Sequence, residues 1–231
     1  MNERGEGMNL TEALGLRPGV TAVIGGGGKT TLLRTAGEEL AAAGYTVLLC
    51  TTTKILPFPG LPNVTEGDEG ALASTLAEHR LVCAGTVLAE SGKLTAPAIP
   101  MARLAALADC VLVEADGSAH RPLKAHLAHE PVIPAEAYRT VCVTGVSGFG
   151  LPIAEAAHRP ERFAELAETD TEAPATPENT ALVLRKEGLA DLYFFNQADT
   201  LERWEWGMRA ARALDQPAVL GALQKGAYRK C

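Results

Sequence analysis

The stretch Thr21-Ala22-Val23-Ile24-Gly25-Gly26-Gly27-Gly28-Lys29-Thr30-Thr31 decides how the rest of the chain is read. Its first residues are an apolar run rich in β-branched side chains, which predicts a buried strand. Four glycines follow, and the residues from Leu32 to Ala43 predict a helix. Strand, glycine turn and helix in that order are the setting of a phosphate-binding loop. With no Cβ atoms at Gly25, Gly26, Gly27 and Gly28, successive backbone N–H groups can converge on an anion, and the helix start adds the positive end of its dipole. Lys29 is expected to reach the outer phosphates of a nucleotide, with Thr31 beside it, and the Thr30 hydroxyl to ligate Mg²⁺.

The longer form of this motif, Gly, four residues, Gly-Lys-Ser/Thr, needs a glycine where the chain has Val23. The shorter Gly-x-x-Gly-Lys-Thr, led by Gly25, fits completely and resembles the loop of the Mur-type ligases. Lys29 and Thr30 keep their roles in both. The bland alternative is a glycine-rich turn with a solvated lysine, and the agreement of strand, loop and helix argues against it.

With 231 residues, 47% of them hydrophobic, the chain can bury a large core, and one α/β domain spanning 1–231 is expected, with 1–18 as an N-terminal extension. A net charge of -7 gives no broad footprint for nucleic acid. No apolar run resembles a signal peptide or spans a bilayer, so no membrane partner and a cytoplasmic location are expected. Cys50, Cys83, Cys110, Cys142 and Cys231 show no Cys-x-x-Cys spacing. The first four lie in or beside apolar runs and read as reduced core thiols, and Cys231 as an exposed terminus.

Leu10 to Leu16 predicts a short helix started by Thr11, and Tyr45 to Cys50 a second buried strand. That strand runs into Thr51-Thr52-Thr53-Lys54, at the carboxyl end of the strand, where parallel α/β proteins bind ligands. Thr52 or Thr53 is expected to sense a terminal phosphate or Mg²⁺, and Lys54 to offset its charge; the alternative is a plain polar loop. Asp68 to His79 predicts a helix, Leu81 to Leu94 an antiparallel hairpin turning near Ser91-Gly92, and Ala102 to Ala108 a further helix. Cys110-Val111-Leu112-Val113-Glu114-Ala115-Asp116-Gly117 is the second strong signal. Apolar residues that end in acids are what such a protein uses to hold Mg²⁺ and position water. Strand alternation puts Glu114 and Asp116 on one side. Asp116 is assigned the metal, with Thr30, and Glu114 the water; the alternative has both acids closing a strand in solvent.

The densest polar cluster comes next, with His120, Arg121, Lys124, His126 and His129 in a proline-bounded loop. Arg121 and Lys124 read as contacts to nucleotide phosphates or to a second, anionic ligand, with His129 nearby. His126 and His129 are spaced for one helix face, which leaves a metal site as a weaker alternative.

Taken together, the Gly25-to-Thr31 loop, Thr51-Thr52-Thr53-Lys54-Ile55, Glu114-Ala115-Asp116-Gly117-Ser118, Arg121-Pro122-Leu123-Lys124-Ala125 and His129-Glu130-Pro131-Val132-Ile133-Pro134 resemble, in this order, the YqeC family. The resemblance covers Val20 to Asp199. It implies a nucleotide-binding accessory protein in the maturation of a selenium-dependent molybdenum hydroxylase, with that hydroxylase or another maturation protein as partner.

Thr140 to Val143 predicts another strand, followed by a glycine turn over 145–150. His158-Arg159-Pro160-Glu161 opens a helix, and Thr176-Pro177 starts one that Gly188 stops. The segment 169–177 has the composition of a flexible linker. Leu192 to Asn196 is apolar and ends in Asn196-Gln197-Ala198-Asp199, which resembles the guanine-reading Asn-Lys-x-Asp of GTPases. A carboxylate at Asp199 can accept from guanine N1–H and the exocyclic amine, and Asn196 can brace the base or the phosphate loop. Gln197 stands where that motif has lysine. Gly221-Ala222-Leu223, after the strand Ala218 to Leu220, resembles the loop that closes over guanine. The alternative is a helix-start turn in which Thr200 caps Leu201 to Leu214. One of Trp204 and Trp206 on that helix is expected to be exposed.

These signals predict a three-layer α/β/α phosphate-loop domain, mostly parallel, with a small β-hairpin insertion. The expected activity is slow Mg²⁺-dependent hydrolysis of GTP or ATP. A phosphotransferase or ligase acting on a small anion, and a non-hydrolytic carrier of a pterin or selenium species, stay open beside it.

Overall fold

The structure, a computed structural model, describes residues 8–65 and 67–231. Residues 1–7 of the expected N-terminal extension lie outside the described residues. In chain order the strands are β1 (Gly19–Gly25), β2 (Val47–Thr51), β3 (Asn63–Val64), β4 (Leu81–Ala84), β5 (Thr86–Leu88), β6 (Lys93–Thr95), β7 (Cys110–Glu114), β8 (Leu123–Lys124), β9 (Ala137–Gly145), β10 (Ala157–His158), β11 (Leu192–Asn196), β12 (Ala218–Ala222) and β13 (Ala227–Lys230). The helices are α1 (Leu10–Leu14), α2 (Lys29–Ala42), α3 (Glu69–His79), α4 (Met101–Leu107), α5 (Ile153–Ala156), α6 (Pro160–Ala167), α7 (Pro177–Glu187) and α8 (Leu201–Leu214).

Nine strands form one sheet in the order β13-β12-β11-β9-β1-β7-β2-β4-β3, parallel throughout except for β13. β1 sits near the middle, with Val23 opposite Glu114 of β7 on one side and Val141 of β9 on the other. The chain first builds outward from β1 on the β7 side and later on the β9 side. The carboxyl end of β1 is therefore the point where the winding reverses, the usual place for a ligand in such sheets.

Period-two alternation sorts the side chains into layers. Val23, Val47, Leu49, Leu112 and Val143 face α1 and α2, whose Leu10, Leu14, Leu32, Leu33 and Leu40 cover them. Ile24, Cys142, Tyr193 and Phe195 face the opposite way, under α6, α7 and α8. Leu48, Val82, Val111 and Val113 pack on that same opposite face beneath α3 and α4. Fully burying one such leucine or isoleucine is worth roughly 1.5–3 kcal/mol. The product is the predicted three-layer α/β/α arrangement.

Several boundaries depart from the sequence reading. α1 is capped by Asn9, not Thr11, because Asn9 and Glu12 exchange side-chain and backbone bonds, and Glu39 of α2 accepts from the Leu10 and Thr11 amides. Leu81–Ala84 does not enter a hairpin. It is a fully buried parallel strand, and the antiparallel hairpin is the shorter β5–β6 pair. The segment 169–177 is hydrogen-bonded along 150–154, through Thr171 O, Ala173 O and the Ala175 N–H and carbonyl. Trp204 and Trp206 are both half-buried against the core, so neither stands fully exposed. β13 was not foreseen. Cys50, Cys83, Cys110 and Cys142 are buried free thiols, and Cys231 is exposed. Among the described residues no helix is long and apolar enough to cross a membrane.

Candidate functional site

The four glycines are dictated by what surrounds them. Gly25, Gly27 and Gly28 have φ of 93°, 73° and 115°, a region side chains avoid. A Cβ on Gly26 would lie 2.6 Å from the carbonyl oxygens of Arg121 and Pro122, and one on Gly27 would strike the Gly145 backbone. The Gly25 N–H donates to Asp116 Oδ2 at 2.8 Å, Gly26 N–H to Val143 O at 2.9 Å and Gly27 N–H to Arg121 O at 3.3 Å. Those three amides are thus committed to the protein, contrary to the expectation that the whole glycine run faces an anion. The amides with no intrahelical carbonyl to bond are those of the first turn of α2, Lys29 to Thr31.

Lys29 is 4% exposed and turned back over its own loop. Its Nζ donates to Gly25 O at 2.6 Å and Ser118 Oγ at 3.3 Å, and lies 3.1 Å from Asp116 Oδ1 and 3.9 Å from Glu114 Oε1. The two acids after β7 part company. Thr30 Oγ1 donates to Glu114 Oε2 at 3.1 Å. Asp116 is wholly buried and does not meet Thr30. Its Oδ2 takes Lys124 Nζ at 3.1 Å and His126 Nε2 at 2.8 Å as well as the Gly25 amide. The expected pairing of Asp116 with Thr30 at a metal is therefore corrected: β7 ends at Glu114, the chain turns, and Asp116 points into the interior among cations.

Burial pushes the Asp116 carboxyl up, but the His126 hydrogen bond and the charges of Lys29 and Lys124 outweigh it and hold the pKa at about 2. Burial raises the Glu114 pKa, against the opposing pull of Lys29 and of the Thr30 hydroxyl. His126 is clasped between two carboxylates, Asp116 through Nε2 and Glu187 Oε2 through Nδ1 at 2.9 Å. Both ring nitrogens must donate to satisfy both acceptors, which makes the ring an imidazolium. Burial works to lower its pKa, yet the two carboxylates bring it above the ordinary value.

Lys124 is not an open anion contact. It is buried, donating to Gly117 O at 2.6 Å and Glu130 Oε2 at 2.8 Å while lying beside Asp116, because β8 pairs with β10 and turns it inward. The segment holding His126 and His129 is not helical, so one histidine points in and the other out. His129 is exposed and lines neither of the clefts described next. Among the described residues no group of three or more His, Cys, Asp or Glu side chains is placed to hold a metal.

Two clefts flank the glycine loop. The larger, about 1030 Å³, is lined by Lys29, Thr30, Thr52, Thr53, Lys54, Glu114, Ser118, His120 and Arg121 among others. Thr52 donates its hydroxyl to Val132 O at 2.7 Å, and the Thr53 hydroxyl lies 3.2 Å from that of Thr51. The smaller, about 220 Å³, is lined by Gly28, Thr31, Ser147, Asn196, Gln197, Asp199, Arg203, Leu223 and Gln224. Asn196 is buried and spans the pocket floor: its Nδ2 donates to Gly27 O at 2.8 Å and its Oδ1 accepts from the Leu223 amide at 3.1 Å. Asp199 is partly exposed, 3.9 Å from Arg203 Nη1. Gln197, with a φ of 66°, lines both clefts and accepts from Ser147 Oγ at 2.5 Å.

Sequence reasoning missed Ser118, Lys93 and Glu187 as members of this region; it singled out His120 and His126, but not the pairing of His126 with Asp116 and Glu187. Ser118 and His120 sit in the polar loop already singled out. Glu187 carries no local signal, lying 61 residues from His126.

The sheet order and the four-glycine loop define an α/β/α protein of the phosphate-loop type. The chain belongs to the YqeC family, whose model, described as YqeC protein, matches residues 21–161. A relative from Escherichia coli (strain K12), named uncharacterized protein YqeC, is 36% identical over 156 residues, which are 65% of this chain and 61% of that protein. The match thus spans less than two thirds of that relative's length. A solved structure, signal recognition particle 54 kDa protein from Aeropyrum pernix K1 in complex with GDP, aligns over 94% of this chain and 44% of that one at 16% identity and a TM-score of 0.46.

Proposed function

We propose that this chain binds a nucleoside triphosphate with Mg²⁺, hydrolyses it slowly, and serves as an accessory factor in maturing a selenium-dependent molybdenum hydroxylase. The observation that carries the nucleotide reading is the arrangement around one loop. The open amides of Lys29 to Thr31, the Lys29 ammonium, the Thr30 hydroxyl and Glu114 meet at the larger cleft, and the smaller cleft adjoins them across Gly28 and Gln197.

In this reading the phosphates lie on the first turn of α2, and Lys29 exchanges part of its contact with Asp116 for the outer phosphates. Mg²⁺ suits hard oxygen donors. Thr30 and Glu114 would hold it, since among the described residues Glu114 is the one acid that lines the larger cleft, and the ion would neutralise charge on the terminal phosphates. The base enters the smaller cleft. Asp199 there favours guanine, because its carboxylate can accept from N1–H and the exocyclic amine, while Asn196 ties the loop to Leu223 beneath. The hydroxylase client is the part of the reading that rests on resemblance to the family.

Thermal unfolding with Mg²⁺ and GTP or ATP tests the reading. Ligand at a hundred times its Kd stabilises by about 2.7 kcal/mol. Wild type should shift upward, GTP more than ATP, and Lys29→Ala should lose the shift. No shift in wild type at millimolar nucleotide would overturn the proposal.

A further inference from the structure

We propose that the larger cleft holds a second ligand, a small organic anion bearing a phosphate or carboxylate, seated between Lys54, Lys93 and Arg121 beside the terminal phosphate. This rests on the nucleotide reading, which leaves most of that cleft unfilled. Whole small-molecule sites occupy roughly 300–1,000 Å³. Here a cleft of about 1030 Å³ would receive only the polyphosphate tail, because the base has its own pocket on the other side of Gly28.

The charges on the wall point the same way. The chain carries a net charge of -7, yet among the described residues this cleft is lined by Lys29, Lys54, Lys93 and Arg121 against a single carboxylate, Glu114. Lys29 and Glu114 lie in the loop end with Thr30. The other three cations come from separate chain segments, Lys54 after β2, Lys93 on β6 and Arg121 beside the glycine loop, where its carbonyl takes the Gly27 N–H. Cations from three segments lining one space, with no acid but Glu114 beside them among the described residues, are suited to an anion that the loop itself does not hold.

Local structure keeps them there. The segment after β2 and the β5–β6 hairpin are joined by reciprocal bonds, Ile55 N–H to Leu94 O at 2.9 Å and Leu94 N–H to Ile55 O at 2.8 Å. That pairing sets Lys54 and Lys93, each one residue from the bridge, on one rim. Ala119 and His120, which line the same cleft, adopt consecutive left-handed conformations, φ 47° and 61°, immediately before Arg121. Two non-glycine residues in that region hold a cost in the backbone that commonly marks a ligand contact. Arg121 gives one Nη1 bond to Glu155 O, which anchors the guanidinium and leaves further N–H groups. Leu56, 59% exposed, adds an apolar surface at the rim, which favours an organic anion over a bare inorganic one.

The test uses thermal unfolding of the full chain, first with Mg²⁺ and a non-hydrolysable GTP analogue alone, which reads the nucleotide proposal by itself. Inorganic phosphate or succinate is then titrated into the loaded protein, against chloride of equal ionic strength. A further rise with phosphate, succinate or both, abolished in Lys93→Glu, supports the second site, and the more effective probe gives the anion class. No rise with either probe, or a rise that persists in Lys93→Glu, overturns it. Should the nucleotide analogue give no shift, the titration is repeated on unloaded protein. Loss of the anion shift in Lys93→Glu still supports the second site there, and its persistence overturns it.

Discussion

Thr30 and Glu114 share a hydrogen bond of 3.1 Å, and Asp116, two residues further on, stands behind them with no access to solvent. The two acids should therefore fail in different ways. Glu114→Gln should fold normally and weaken Mg²⁺-dependent nucleotide turnover by about 10²-fold, on the scale of losing one well-placed charged group. Asp116→Asn leaves Lys29, Lys124 and His126 without their common counter-charge, and should cost about 3 kcal/mol of stability. Urea unfolding and a turnover assay on both variants separate the two effects.

Asn196 and Asp199 divide along similar lines. Asn196→Ala deprives the buried Gly27 carbonyl and Leu223 amide of partners, so about 2 kcal/mol of stability should go, together with nucleotide affinity. Asp199→Asn touches only the partly exposed end of the pocket and should stay within about 0.5 kcal/mol of wild type. In competition binding it should move preference from guanine toward xanthine nucleotides. An unchanged ranking would remove Asp199 from base reading.

Gly27→Ala meets two penalties together, a φ of 73° and the Gly145 backbone where the methyl would sit. Left-handed backbone costs a side chain roughly 1–2 kcal/mol and overpacking roughly 1–3 kcal/mol. Chemical denaturation should show a loss of about 2–5 kcal/mol, whereas Gly92→Ala, with nothing near its Cβ position, loses only the backbone part.

The imidazolium of His126 makes stability depend on pH at the alkaline side. Its pKa in the fold lies above the unfolded value near 6.5, so its contribution is complete below pH 6.5 and fades as pH rises through the folded pKa. Asp116 acts in the other direction: its contribution is complete above pH 3.8 and is lost as pH falls toward about 2. Denaturation midpoints of wild type should fall on both flanks. His126→Gln should flatten the alkaline flank and, by removing the hydrogen bond that helps hold the Asp116 carboxyl down, weaken the acid one as well.

The fold was legible because β1, β7 and β11 announce themselves by composition and each ends in residues with chemistry. The loop was legible because Gly25 to Lys29 has few other uses. Leu81–Ala84 misled because a continuous apolar run of four can be a hairpin arm or a central parallel strand, and only its neighbours β2 and β3 decide. Glu114 and Asp116 alternate correctly on paper, but the strand stops between them, and from that point the period no longer governs direction. Lys124 reads as an anion contact in the sequence because its actual partners, Asp116 and Glu130, are arranged by a two-residue strand too short to leave a pattern. His126 and Glu187 meet only through tertiary folding, and nothing near either residue marks the other.

Lys29 begins its work with its charge already answered by Asp116 at 3.1 Å. Any anion that draws the ammonium outward must outbid a carboxylate fixed in the protein, so a single phosphate group gains little by arriving, whereas a chain of them, spanning the first turn of α2, gains at several points together. The loop would thereby rank its visitors by how much negative charge they carry in a row, and a spent nucleotide would lose part of its hold as soon as its end group departed.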